Sequence, residues 1–421
     1  MKLLFYIFLI FLTGCSAMQL PGKTPIATTF QTPFINPTFT PVITPTIPQP
    51  TSLLIWLPPQ FDPNHDDPAA QILNARLTEF SQRRSGVQVE VRIKALGGPG
   101  GILDSLIAAN AAAPLALPDL ILLPRTTMEA AALKGLLYPF DSQNETIDED
   151  WYNFSKQLAH LQNSTFGLPF ASDALLLVYR SAEISKPPRD WDAAIAVSSP
   201  LAFAAGDGQA FFTLTQYLST SGEIQDGEGR PTLNENSLAQ VLTFFQKAGS
   251  TGLMPSWLTQ FYTDEQVWEA YIEKRADLAV TWISRYLREL PADTNAAPIF
   301  TSQGEFLTLA DGWVWALSSP LIERRALATE LAGFLTQGDF LARWTFTAGY
   351  LPVRPSALTG WSDSSLRNLI DQVARSAQII PPADVLAALG PALQEATLTI
   401  LSKKGDPIST AHETVLLISP P

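Results

Sequence analysis

An α/β fold in two lobes, each a mostly parallel sheet flanked by helices, is what this chain predicts. Three observations carry that expectation. The 421 residues exceed what one hydrophobic core usually serves. From Leu53 onward, short apolar runs alternate with helix-period stretches, the pattern of strand–helix–strand units. A second series of the same kind begins at Gly167-Leu168-Pro169. The composition agrees, since 46% hydrophobic and 16% charged residues suit large cores under a modestly charged surface. The net charge of -13, with no Lys/Arg cluster to interrupt it, argues against nucleic acid as a partner. One cysteine permits neither an internal disulfide nor a cysteine-based zinc site.

Residues 1–14 read as a processing signal. Lys2 supplies the positive end and Leu3 to Leu12 a short apolar segment, too short to cross a bilayer core of ~30 Å. Thr13, Gly14 and Cys15 follow, resembling the bacterial lipobox, in which the peptide is cut before a cysteine that becomes lipidated. Two or more acyl chains anchor stably where one does not. Residues 15–51 have no apolar periodicity, and Pro33, Pro37, Pro41 and Pro45 recur every four residues. Proline lacks an N–H and fixes φ, so this tract reads as an extended tether with a reach on the order of 100 Å.

The folded body is expected from Leu53. The continuous apolar run Leu53–Leu57 suits a strand buried on both faces. A helix follows, capped by Asp66 or Asp67, with Pro68 in its first turn and Leu73, Leu77 and Phe80 on one face; Gly86 can end it. Val87, Val89, Val91 and Ile93 alternate with polar residues, as in a second strand. GILDSLIAANAAA reads as a helix and DLILLP as a third buried strand. TTMEAAALKGLL is a helix with Thr126 or Thr127 expected at its cap. Leu175–Val178 is the strand that opens the second unit. Helical patterns dominate from Ala210 to about Arg288, a strand returns at residues 311–318, and the C-terminal part is mainly helical.

Catalytic and metal motifs are missing. GGPGG at residues 97–101 follows a strand and precedes a helix, but it matches neither phosphate-loop spacing. It reads as a flexible turn, or as a helix N-terminus offering N–H groups to a polar ligand. DPNHDD at residues 62–67 imitates a calcium loop but has Asp67 where glycine is needed, so helix capping explains it better. The three histidines are far apart and form no zinc pattern. No cofactor is implied. The aromatics say more. Trp56, Trp282, Trp313 and Phe211 fall at strand ends and turns, where open α/β sheets place ligands, and flat rings suit the C–H faces of sugars.

The order of segments resembles the family 1 extracellular solute-binding proteins of bacterial ABC importers, the group that contains maltose- and other sugar-binding proteins. The pieces are LLIWL with its helix ending at Phe80 ahead of Gly86, Pro118-Asp119-Leu120-Ile121, and Gly167-Leu168-Pro169 followed by LLLVYR. DGEGRPTLN, RADLAVTW, GWVWALSSP and GYLPVRPSAL complete the series. Arg180 stands where the family usually has Asn. The resemblance implies a periplasmic-binding-protein-like fold of type II, with a hinged cleft between the lobes. It implies lobe 1 at 52–171 plus 312–360 and lobe 2 at 172–311 plus 361–421. Crossovers are expected near Ala171–Ala174 and Thr308–Gly312.

Carried over position by position, the resemblance nominates Trp56, Arg125, Asp173, Phe211, Trp282, Trp313 and Arg354 as ligand-binding. The stretch IIPPADVLAALG lacks the aromatic that maltose-type proteins use there, which argues against a long glucan. The role so implied is non-enzymatic. A monomer, lipid-anchored outside the cytoplasmic membrane, captures a small sugar and passes it to the permease subunits of an importer. Two alternatives remain open: a ligand sensor of the same fold and a secreted lipoprotein hydrolase. Cys15→Ser should leave the chain unlipidated or unprocessed, as read by membrane fractionation and the mass of the mature protein. Normal processing with retained membrane attachment would sink the lipobox reading.

Overall fold

A computed structural model describes residues 52–84, 86–140 and 150–418; the leader, Cys15 and the Thr/Pro tract lie outside the described residues. The chain enters through β1 (Ser52–Leu57), α1 (Pro68–Arg83), β2 (Gln88–Ile93), α2 (Ile102–Ala112), β3 (Leu120–Pro124) and α3 (Arg125–Leu133). β1 lies between β2 and β3 and runs parallel to both. Its side chains are covered on each face, which is why the run is apolar throughout. Asp67 caps α1 by accepting from Ala70 N at 2.8 Å. α3 departs from expectation. Its cap is Pro124, so Arg125 to Thr127 fall inside the first turn and neither threonine caps. Proline suits that position because its ring fixes φ, here at −64°, and the N–H it lacks has no helical partner ahead of the first turn.

The Pro-Asp pair ahead of β3 has a structural reason. Asp119 is fully buried. Its carboxylate accepts from Leu54 N at 2.8 Å and from the Arg324 guanidinium at 2.5 and 2.6 Å. Arg324 also donates to Ser52 O. A buried carboxylate and a half-buried guanidinium therefore tie β1, β3 and a later helix together, with the carboxylate's lone pairs used, as its burial requires.

The middle of the chain holds α4 (Asn153–Ala159), the short pair β4 (His160–Leu161) and β5 (Ser164–Thr165), and then β6 (Leu168–Arg180). After β6 come α5 (Trp191–Ala196), β7 (Leu201–Ala202), α6 (Phe211–Leu218), α7 (Glu235–Thr251), α8 (Asp264–Ile272), β8 (Leu278–Trp282), α9 (Ile283–Glu289) and β9 (Thr294–Ala297). The chain returns along β10 (Thr308–Leu317). It finishes with α10 (Ile322–Leu335), α11 (Gly338–Ala348), α12 (Ser364–Ser376), β11 (Ala377–Ile379), α13 (Ala383–Leu401) and α14 (Pro407–Ile418).

This is the two-lobed α/β fold, and two long strands join its halves. Near its start, β6 pairs antiparallel with β10, which in turn pairs with β3. From Leu175 onward β6 pairs with β8 and β9 instead. The change of partner falls between Ala174, opposite Ala310, and Leu175, opposite Trp282. Within each half the strands that alternate with helices are parallel: β2, β1 and β3 in one, β7 and β8 in the other. Every antiparallel contact of the large sheet involves β6 or β10.

Two apolar clusters cover this sheet. One joins Leu53, Ile55, Phe170 and Trp315 to α1, α10 and α11. The larger one runs from Ile121, Leu123 and Met128 through β6 into α6, α7 and α13. Arg180 sits where β6 ends. It is buried, pairs with Asp293, donates to Tyr271 O and lies over the Tyr271 ring at 4.6 Å. Among the described residues no helix is long and apolar enough to cross a membrane.

The crossing of β6 and β10 leaves no room at Gly312. A Cβ there would lie 2.7 Å from both Ala171 O and Leu158 Cδ1. Gly312→Ala should therefore force the two strands apart and destabilise the protein by about 1–3 kcal/mol, the usual scale of overpacking. Denaturant unfolding checks this; an unchanged midpoint would mean the strands part without cost.

Candidate functional site

The carboxyl ends of β7 and β8 open onto a cavity of about 290 Å³. In open α/β sheets, ligands bind off these strand ends. The cavity has an aromatic corner. Trp282 ends β8, and Phe211 begins α6; both are half-buried. Their rings meet edge to face at 5.7 Å and 85°. That arrangement brings the positive edge of one ring to the negative face of the other and holds both in place. Leu175 and Val280 form the apolar base beneath.

The second wall is the turn from Phe203 to Ala210. It is an irregular segment, and internal bonds replace a strand ladder. The Asp207 carboxylate accepts from Gln209 N at 3.0 Å and Phe211 N at 3.5 Å. Gly206 N donates to Phe261 O at 2.7 Å, and the Gln394 amide donates to Gly206 O. Ala210 is held at φ 50°, a left-handed conformation that is costly for a residue with a Cβ. α13 supports the turn from behind. A Cβ on Gly390 would stand 2.5 Å from Gly208 O, so only glycine allows so close a contact.

The third wall comes from the start of α8. Thr263 and Gln266 form a reciprocal capping box, the Thr-x-x-Gln signature at a helix entry. It places Tyr262, Thr263 and Asp264 at the cavity mouth. Tyr262 is more than half exposed, at 55%. Asp264 is already committed, accepting from Thr281 Oγ1 at 2.6 Å and Arg285 Nε at 3.2 Å. Burial raises the pKa of Asp207 above the usual carboxylate value, while its two backbone N–H donors oppose the shift. Among the described residues no Lys, Arg or His lines the cavity, although Arg285 pairs with Asp264 behind its mouth. The chemistry on offer is flat apolar stacking beside carboxylate, hydroxyl and amide groups. No cluster of three or more His, Cys, Asp or Glu able to hold a metal ion occurs among the described residues.

Of the seven residues nominated from sequence, only Phe211 and Trp282 line this cavity. Trp56 is buried in the sheet, with the Lys94 ammonium 4.8 Å from its ring centre. Arg125 is buried, pairs with Glu129 at 2.6 Å and donates to Gln157 O. Trp313 packs against Phe61 at 5.4 Å and Tyr350 at 5.3 Å. Arg354 donates to Thr336 O at 2.8 Å, pairs with Asp150 and lies over Trp151. These four spend their polar or flat faces on the protein itself. Asp207, Tyr262 and Asp264 escaped sequence reasoning, although the capping box at Thr263 was legible.

Asp173 belongs to the crossing rather than to the cavity, yet it touches the cavity's frame. Its carboxylate accepts from Ser284 Oγ at 2.5 Å and from Ser284 N and Ala174 N at 3.0 Å. Ser284 lies two residues beyond Trp282, so this buried acid secures the turn that carries the Trp282 ring. Asp311 lies opposite it on β10. The GGPGG turn closes on itself, with Gly101 N donating to Gly98 O and Ile102 N to Ala95 O.

Residues 75–367 match the family model described as bacterial extracellular solute-binding protein, which is more than half of the chain. Among solved structures, a cyclo/maltodextrin-binding protein complexed with maltotetraose is 18% identical, with a TM-score of 0.70 over 89% of this chain and 97% of that one. A cyclic α-maltosyl-1,6-maltose binding protein from Arthrobacter globiformis is 16% identical, with a TM-score of 0.71 over 87% and 97%. A solute-binding protein of an ABC transporter from Thermotoga lettingae, bound with α-D-tagatose, is 17% identical, with a TM-score of 0.64 over 87% and 100%. At these identities the likeness establishes the fold. The comparison with curated protein sequences returned no match.

Burial pushes the Asp173 carboxyl up to about 7, against the hydrogen bonds from Ser284 and Ala174, and the nearby Asp264 charge adds to the rise. The fold therefore favours the protonated acid. Its contribution to stability is fully present below the ordinary value of 3.8 and is lost as pH climbs through about 7. Asp173→Asn keeps an acceptor for the two N–H groups and cannot ionise. Thermal unfolding across this pH range should show wild type falling relative to the variant; parallel curves would show that Asp173 titrates normally.

Proposed function

The chain belongs to the bacterial extracellular solute-binding proteins, and on that premise we propose that it captures a small sugar in the Phe211–Trp282 cavity. The observation that carries this reading is the aromatic corner beside carboxylates at the ends of β7 and β8. A sugar ring has apolar C–H faces and a polar rim of hydroxyls. Trp282 and Phe211 suit the faces, and Asp207, Gln209 and Thr263 suit the rim. A volume of about 290 Å³ lies just under the range of about 300–1,000 Å³ usual for small-molecule sites, which favours a small sugar over a long glucan. Relatives of the same fold bound with maltotetraose and with tagatose support a carbohydrate ligand.

The proposed cycle needs no bond making. Lobe 1 comprises 52–171 and 312–360, and lobe 2 comprises 172–311 and 361–421. They close on the sugar by bending where β6 and β10 change partners. The closed form then engages the permease of an importer. The proposed setting is outside the cytoplasmic membrane, with the protein acting as a monomer anchored through lipidated Cys15 and spaced from the surface by residues 15–51.

Binding of a ligand to the folded state alone raises its melting temperature. A thermal-shift array of neutral mono- and oligosaccharides should therefore give a positive hit. Trp282→Ala should weaken that hit by about 1–3 kcal/mol with the fold retained, the scale of a buried aromatic anchor. An array without any shift would end the carbohydrate reading. A hit that Trp282→Ala leaves intact would place the ligand elsewhere.

A further inference from the structure

The carboxylates of the cavity are not equivalent. Asp264 is spent on Thr281 and Arg285. Asp207 receives one good backbone bond, from Gln209 N at 3.0 Å, and one long one, from Phe211 N at 3.5 Å. A carboxylate offers about four lone-pair sites, so roughly half the acceptor capacity of Asp207 is unused. Among the described residues no cation pairs with it, and burial alone drives its acidity down. A half-buried anion with no cation beside it among the described residues is costly to cover further. Hydrogen-bond donors from a ligand would offset that cost, and a second anion would add to it.

The geometry holds this group in place. The turn carrying Asp207 is braced by Phe261 O, by the Gln394 amide and by the close contact of Gly390 with Gly208. An acceptor presented on a rigid turn beside two flat rings can read the positions of donors on a stacked ligand.

We propose that Asp207 sets the specificity of this cavity, accepting hydrogen bonds from a pair of ligand hydroxyls and rejecting solutes that carry negative charge. The inference rests on the carbohydrate reading of the Phe211–Trp282 cavity and narrows it to neutral polyhydroxylated sugars. Uronates and sugar phosphates are disfavoured because, among the described residues, the cavity lining carries the Asp207 and Asp264 carboxylates and no Lys, Arg or His.

The test pairs neutral and acidic probes: D-glucose, D-galactose and maltose against D-glucuronate, D-galacturonate and glucose 6-phosphate, titrated by tryptophan fluorescence and calorimetry. Wild type should bind at least one neutral probe at least tenfold more tightly than any acidic one. Asp207→Asn keeps an oxygen for Gln209 N but removes the charge and one acceptor. It should lose about tenfold in affinity for the neutral probe, the loss expected for a charge-assisted bond. It should also narrow the neutral-to-acidic ratio, which a purely structural defect would not do. If Asp207→Asn leaves affinity and ratio unchanged while Trp282→Ala abolishes binding, the inference about Asp207 fails and the cavity reading stands. If wild type binds the acidic probes equally well, the inference also fails. If neither variant affects a sugar that binds, or if no probe binds wild type, the carbohydrate reading of the cavity falls and takes the inference with it.

Discussion

The antiparallel pairing of β6 with β10 is the constraint on which the other parts depend. These strands are the long elements that serve both halves, and their backbones meet where Gly312 lies against Ala171 O. On one side β10 continues the sheet to β3, β1 and β2; on the other β6 passes to β8 and β9. A side chain at 312 would have to occupy the space of a carbonyl. Buried carboxylates mark the same crossing: Asp173 and Asp311 face each other in register, and burial pushes Asp311 up to about 6. Charge is costly there, and the hydrogen bonds these two acids accept tie the crossing to neighbouring segments through Ser284 and the backbone of Ala174 and Gly312.

From that crossing the structure reaches the cavity by short covalent steps. Leu175, the first residue of β6 after the change of partners, lies opposite Trp282 and forms part of the cavity base. Ser284, held by Asp173, lies in the first turn of α9, the helix after Trp282. Two residues of backbone therefore separate the Asp173 contact from the Trp282 ring. On the other wall, rigidity comes from α13, whose Gly390 and Gln394 grip the turn at residues 206–208. The C-terminal segment thus contributes by holding the turn that carries Asp207. A small, braced cavity loses little freedom when a ligand binds, so few contacts suffice for recognition.

Much of the fold was legible because its signals are local. The apolar run Leu53–Leu57 reads as a doubly covered strand, and Asp67 ahead of Pro68 reads as a cap; both form as written. The cap of α3 was misread at Thr126 and Thr127, because proline at 124 sets the entry geometry without a side-chain bond. The site was less legible. Trp282 and Phe211 stood out as rings at segment ends. Trp56 and Trp313 gave the same signal and went into packing, and Arg125 and Arg354 went to internal partners. Asp207 gave no signal beyond a Gly-Asp-Gly turn.

By itself the sequence determined the alternation of strands and helices, the two-lobed class and the family. Those follow from periodicity, turn chemistry and the order of short motifs, each a property of neighbours along the chain. Tertiary structure decided which rings face a cavity and which acid keeps lone pairs to spare. Trp282 and Trp56 both end or nearly end buried strands. One is half-covered beside the cavity that the Phe203–Ala210 turn also lines, while the other is buried in the apolar cluster with Ile102 and Leu106, with Lys94 over its ring. The exposure of a face depends on distant segments arriving beside it. No spacing along the chain encodes that, because it is a property of the packed whole.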